Sequence, residues 1–326
     1  MRNYIIRRVL LMIPTVWLAS TLVFVGMRLI PGSIVDKIVA QLAEFGPVDR
    51  EEIAEMMGLS GPIYVQYGRW LGVMPNMDGE FSGLAQGNFG VSLLKSVPVA
   101  ENILERWPVT LELGLLGLIM GQIISIPVGV FSALRQDTRD DYIARSVAIL
   151  FMAVPSFWLS TMVIVFPSIW WGYMPPIELV ALTEDPIGNL QMFLLPAACL
   201  GLAMTGTTMR LTRTMMLEVL RQDYIRTAWA KGLRERVVIV RHALKNALIP
   251  IVSLIGLRLP VLIGGTVIVE TIFGLPGIGR LVVNATSYRD YPVLSGVLLF
   301  FAVALVLINL LVDLTYGYLD PRVKYG

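Results

Sequence analysis

An all-α membrane protein with six transmembrane helices is the fold class this sequence predicts, and three observations carry it. Of 326 residues only 15% are charged and 56% are apolar, whereas an ordinary soluble domain is about 25% charged. Six apolar segments run over 9–30, 109–133, 146–171, 190–211, 247–270 and 292–316, each near the roughly 20 residues that cross a bilayer as a helix. Lysine and arginine collect in every second connection, the pattern of loops retained inside.

The first segment follows a basic start, Arg2, Arg7 and Arg8. A secretory signal begins the same way. This apolar run is longer than a signal's core, and no small-x-small cleavage site follows it, so it reads as a retained span. The connection between the second and third segments carries Arg135, Arg139 and Arg145. That between the fourth and fifth is rich in basic residues from Arg213 to Lys245, and the tail has Arg322 and Lys324. All of these are expected on the cytoplasmic side, with both termini. The third-to-fourth connection has Glu178, Glu184 and Asp185 and no basic residue.

The loop over 31–108 is expected outside. It is too long to be a plain connector and reads either as a cap on the outer bundle face or as a docking surface for a soluble partner. Residues 1–108 thus form a first span plus an outer loop, and 109–320 a core of five spans. Pro14, Pro127, Pro155, Pro196 and Pro260 fall inside spans and predict bends. The fourth span is the least distinct, because Thr205, Thr207 and Thr208 dilute it. The single cysteine, Cys199, and single histidine, His242, leave no intrachain disulfide and no Cys- or His-rich metal site. Metal-dependent or hydrolytic chemistry is not expected of this chain.

The stretch 212–250 is basic and polar between apolar segments. Within it Asp223 is read as a helix N-cap and Gly232 as the left-handed residue beyond the C-terminus, bracketing about two turns. Tyr224 pairs with Ala228 and Ile225 with Trp229 at helical spacing. Such a helix fits either a docking element for a soluble partner or an interfacial helix on anionic lipid.

The segment RTAWAKGLRERVVIVRHALKNALIP resembles the cytoplasmic loop of permease subunits of bacterial ABC importers, in the version of the dipeptide/oligopeptide permease family. GLSGPIYVQYGRWL, GNFGVSL, RWPVTLELGLLGLIMGQIISIPVGVFSAL and VIVETIFGLPGIGRLVVNATSYRDYPVL are similar to the same family, so the resemblance covers nearly the whole chain. The loop signature departs at its first two positions, Arg226 and Thr227. Arg258 stands where related permeases often have Gln.

What the resemblance implies is the type I ABC importer permease fold in the cytoplasmic membrane. A second homologous permease would pair with the chain, in a homo- or heterodimer. Two cytoplasmic ATPases would bind ATP and Mg, and an extracytoplasmic binding protein would deliver the solute. The chain has no GxxxxGK[ST] sequence of its own, so it is read as non-catalytic. Asp223, Tyr224, Ile225, Ala228, Trp229, Lys231 and Gly232 would form the ATPase coupling helix, with Ile225 and Trp229 as apolar knobs. Dipeptides or oligopeptides are the implied solutes, with nickel chelates or oligosaccharides as alternatives. An ion-gradient-driven secondary transporter is the rival class, but no repeat symmetry or midplane acidic relay supports it.

Charges inside spans are functional candidates because lipid burial is costly. Arg258 meets either a solute carboxylate or a structural partner. Glu270 and Met204 are grouped with it as translocation-pathway candidates. After Glu270, the glycines and proline Gly274, Pro276, Gly277 and Gly279 force a tight turn, read as a gate near the outer mouth or as an ordinary loop.

Overall fold

The computed structural model describes residues 2–29, 49–56, 59–76, 78–176 and 178–319, with Val35, Asp36 and Val39. The expected basic tail at Arg322 and Lys324, and the carboxylate of Asp313, lie outside the described residues. Among the described residues all regular structure is helical, and the only strand-like feature is an isolated antiparallel bridge, Val91 to Pro98. The principal helices are α1 Arg2–Leu29, α2 Arg50–Met56, α3 Ile63–Leu71, α4 Val99–Leu134, α5 Arg139–Ala153, α6 Ser156–Trp171, α7 Pro186–Leu220, α8 Asp223–Ala230, α9 Lys245–Phe273, α10 Ile278–Tyr288 and α11 Tyr291–Leu319.

Among the described residues five stretches are unbroken, long and apolar enough to cross a membrane: Ile6–Leu29, Val99–Leu134, Pro186–Leu220, Glu235–Pro260 and Tyr291–Val312. The expected third span is not one straight helix. It is α5 and α6, bent by 95° at their junction. Pro155 is the cause. Its ring disfavours the helical conformation at the preceding residue, and Val154 lies at φ −77, ψ 122. The second bent pair is residues 264–273 with α10, at 79°; with each bent pair counted as one span the described residues give up to seven, where six were expected.

The threonines that dilute the fourth segment do not interrupt it, and α7 runs for 35 residues. The Thr205 hydroxyl donates to the Gly201 carbonyl and the Thr212 hydroxyl to the Thr208 carbonyl, one turn back. The helix itself satisfies these hydroxyls, so they tolerate burial. Asp185 caps the start, accepting from the Ile187 and Gly188 amides at 3.1 and 3.0 Å. Pro186, which has no amide to satisfy, takes the first helical position.

The described chain forms two compact units. One holds the described residues within 2–107 and 281–310; the other holds those within 108–280 and 311–319. In the first unit α3 packs along α1 through Phe24, Tyr67 and Trp70, with Phe24 and Tyr67 edge-to-face at 4.9 Å. The Arg28 guanidinium stacks over Phe24 and donates to Gln66.

In the second unit α4 and α7 approach backbone to backbone. A Cβ on Gly201 would stand 2.6 Å from the Gly117 carbonyl oxygen and 2.8 Å from the Gly121 amide nitrogen. Lipid supplies no hydrophobic drive between helices, so close approach of small residues is what gains van der Waals contact. Backbone cannot yield as a side chain can. Gly201→Ala is expected to lower stability by about 1–3 kcal/mol. Gly201→Leu is expected to abolish recovery of folded protein, read as the thermal midpoint and monodisperse yield in detergent.

Candidate functional site

The basic stretch folds as expected into a short helix, but its faces differ from the sequence reading. Gln222, extended at φ −74, ψ 147, holds the N-cap position without a side-chain cap bond, and Asp223 is the first helical residue. The Asp223 carboxylate instead reaches Arg226 at 3.6 Å on the open surface, a pair worth little when so exposed. The C-terminus closes as a Schellman motif. The Gly232 amide donates to Trp229 and the Leu233 amide to Ala228, with Gly232 at φ +73.

Ile225 and Ala228 are 0% and 7% exposed, whereas Tyr224 and Trp229 are 44% and 43% exposed. Ile225 is therefore not a knob offered outward, as expected from sequence. It is the plug that seats α8 in the chain's own core, beside Ala133, Met216, Val238 and Ala243. The open face consists of Tyr224, Trp229 and the charged residues Asp223, Arg226 and Lys231.

A second fastening holds the helix from the side. The Asn246 amide group donates to the Tyr224 hydroxyl at 2.8 Å and to the His242 carbonyl at 3.0 Å. His242 itself lies in a π-helical stretch, Val238–Leu244, that leads into α9. The wider π turn is a recurrent feature of functional segments, and here it places Val238 and Ala243 against α8.

Behind this core lies a charged cluster the sequence reading missed. Asp141, fully buried, accepts two bonds from the Arg213 fork, Nε to Oδ1 at 2.9 Å and Nη2 to Oδ2 at 2.7 Å. The Ser132 hydroxyl and the Asp137 amide also donate to it, and Arg145 stands at 3.3 Å. Three helices, α4, α5 and α7, are tied at one carboxylate. Removing one member of such a buried pair typically costs about 3–5 kcal/mol, because the other charge stays buried. One local signal points to it: Thr138 caps α5 by accepting from the Asp141 amide, the start pattern of a capping box.

Glu270 is also fully buried. Its Oε2 accepts from the Arg280 amide at 3.1 Å, and Thr110, Thr266 and the Gly279 amide face the same carboxyl. An acceptor oxygen at the start of α10 satisfies an orphan amide at the positive end of the helix dipole. Gly277 and Gly279 leave the space it fills, since a Cβ on either would collide with it. The Thr110 hydroxyl accepts from the Ile278 amide at 2.8 Å, and the Arg280 guanidinium donates to the Gly274 carbonyl. The Gly274–Arg280 turn is thus a corner built around a carboxylate.

The pathway candidates are placed differently from one another. Met204 is packed in the core with Leu200 and Cys199, and Glu270 is enclosed in the corner, so neither lies at an open surface of the chain. Arg258 is half-buried and, among the described residues, has no hydrogen-bond or ion-pair partner. A second unforeseen carboxylate, Asp290, joins the two stretches that gave the outer resemblance. It accepts from the Ser92 hydroxyl at 2.6 Å and caps α11 through the Val293 amide at 3.4 Å.

These features define a class: a multi-span helical membrane protein that holds a short helix rigidly on a basic loop and leaves one face of it open. The comparisons with known proteins supply the family. The binding-protein-dependent transport system inner membrane component model matches residues 125–325, and its N-terminal counterpart matches 1–114. The chain belongs to this family and is a multi-pass protein of the cytoplasmic membrane.

The chain is 40% identical over 333 residues, covering 100% of both chains, to the oligopeptide transport system permease protein AppB of Bacillus subtilis. It is 35% identical over 350 residues, 100% of this chain and 99% of the other, to the dipeptide transport system permease protein DppB of Escherichia coli K12. Among solved structures, a chain of the MetNI methionine ABC transporter superposes with TM-score 0.55 at 17% identity. That match covers 68% of this chain and 97% of the other, and it shares the fold.

Proposed function

We propose that this chain is a permease subunit of an ATP-driven importer of dipeptides or oligopeptides. The observation that carries the reading is likeness along the whole chain to permeases named for those solutes. The basic loop lies in the cytoplasm, where the open face of α8 meets an ATPase subunit. Two such ATPases bind ATP and Mg and perform the hydrolysis. A second homologous permease completes the channel, and an extracytoplasmic binding protein delivers the solute.

The face of α8 supports the docking role. Tyr224 and Trp229 are the aromatic anchors favoured at the centre of interfaces, and Asp223, Arg226 and Lys231 suit a polar rim. Because Ile225, Ala228 and the Tyr224–Asn246 bond fix the helix to its own subunit, a force on it passes into the spans. The Glu270 corner acts in gating as one rigid piece.

Arg258 is the pathway residue in this reading. A guanidinium midway along an apolar helix, without a hydrogen-bond or ion-pair partner among the described residues, is suited to a solute carboxylate by bidentate bonding. The test of the function is uptake of radiolabelled dialanine and trialanine into vesicles holding the chain with ATPase subunits, a second permease and a binding protein from the same organism. ATP-dependent uptake of neither peptide refutes the peptide reading. In the same vesicles Arg258→Gln is expected to reduce uptake about tenfold, the equivalent of about 1.4 kcal/mol, with unchanged thermal stability. Unchanged uptake with a lowered midpoint assigns Arg258 to a structural pair instead.

A further inference from the structure

We infer that Asp141 and Arg213 form a transmission clasp, which binds the seat of the docking helix to α4, α5 and α7 so that they move together. The inference rests on the importer reading above. Its first support is the placement of the pair. Ser132, which donates to Asp141, adjoins Ala133, and Arg213 lies one turn before Met216. Ala133 and Met216 belong to the same buried cluster as Ile225 and Ala228, together with Val238, Ala243 and Ala247. A continuous path therefore runs from the open face of α8, through its plug, into the two helices that hold the carboxylate.

Its second support is the form of α5. That helix is held at its first turn by Asp141, and its last residue, Ala153, precedes the 95° joint at Val154 and Pro155. Near its other end α5 packs closely on α7, where a Cβ on Gly206 would stand 2.5 Å from the Ala148 carbonyl oxygen, so the two helices move as one piece up to the joint. A third is the chemistry. Buried ion pairs are poor at stabilising a fold against apolar replacements of equal volume, whereas a bidentate arginine fork on a carboxylate fixes direction and register. Asp141 and Arg213 are positioning residues in this account and touch neither solute nor nucleotide.

The test uses the complete transporter in nanodiscs and reads the stimulation of ATP hydrolysis by the added binding protein. That quantity reports communication through the permease and does not require the solute to be known. Asp141→Asn removes the charge, and Arg213→Lys keeps a charge but loses the fork. In complexes that assemble, either is expected to cut the stimulation about 2- to 30-fold, the range for residues along a coupling path, while basal hydrolysis persists. A purely structural pair would lower the yield or thermal midpoint and leave the stimulation of assembled complexes unchanged.

If Asp141→Asn does not assemble, Arg213→Lys and Ser132→Ala decide the matter. Wild-type stimulation in any assembled variant of the pair overturns the clasp. Absence of stimulation in the wild-type complex overturns the importer reading itself, and the clasp with it, and is recognisable because it precedes any substitution.

Discussion

A transporter carrying Gly232→Trp is expected to insert in the membrane at normal levels and to lose solute uptake to background. Two effects separate at this position. Gly232 has φ +73, a conformation in which an L-residue costs about 1–2 kcal/mol. A Cβ there would meet nothing within 4 Å, so no clash arises inside the chain. Gly232→Ala therefore measures the backbone cost alone, as a small drop in thermal midpoint with uptake largely retained. The indole of Gly232→Trp stands beside the open face of α8, where a partner surface would sit. Disruption of an interface centre typically costs at least about 2 kcal/mol, some 30-fold in affinity. Pull-down of the ATPase by the tagged permease reads that loss directly. Wild-type uptake and pull-down by Gly232→Trp would remove α8 from the coupling interface.

The second large effect is expected at the Glu270 corner. Glu270→Ala empties a fully buried site and leaves the Arg280 amide without its acceptor. An orphaned buried donor costs about 1–3 kcal/mol, and the lost packing adds to this, for a total of about 2–4 kcal/mol. The thermal midpoint should fall, and the Gly274–Arg280 turn should become open to limited proteolysis. Glu270→Gln keeps the shape and one acceptor oxygen, so its effect should be smaller. Gly277→Ala is expected to be as damaging as Glu270→Ala, because its Cβ would collide with the carboxyl. The two should not add. With the carboxyl removed, the alanine at 277 has room, and the double variant should be little worse than Glu270→Ala alone. Full additivity would mean that the glycine serves something other than space for the carboxylate.

The apolar segments were legible because membrane insertion reads a one-dimensional property, the length of an apolar run; the two bent helix pairs among them were not, because a bend depends on tertiary contacts. Pro155 marked only where the third span deviates, since proline acts on the residue before it. The amount of the bend, 95°, is not a local quantity. It depends on what holds α5 and α6 at their far ends. Gly232 was legible for a local reason too, as a short helix must stop and glycine takes the left-handed position at least cost.

The faces of α8 were not legible. At helical spacing Tyr224 falls in one row with Ala228 and Ile225 in one with Trp229, each row holding an aliphatic and an aromatic residue, and composition does not say which turns inward. The tertiary structure chose the aliphatic member of each row, because the hollow beside Met216 and Val238 fits a branched aliphatic plug. The aromatic members were left outside, with the Tyr224 hydroxyl held by Asn246.

By itself the sequence determined the membrane class, the apolar segments and the presence of one short helix, stopped at Gly232, on a basic loop, all set by neighbours along the chain. Only the tertiary structure decided which carboxylates do structural work. Asp141 meets Arg213 across 72 positions and Asp290 meets Ser92 across 198. No local pattern encodes such a meeting. A buried charge is tolerated only where folding brings its partner, and that partner is specified by the packing of helices, not by spacing along the chain.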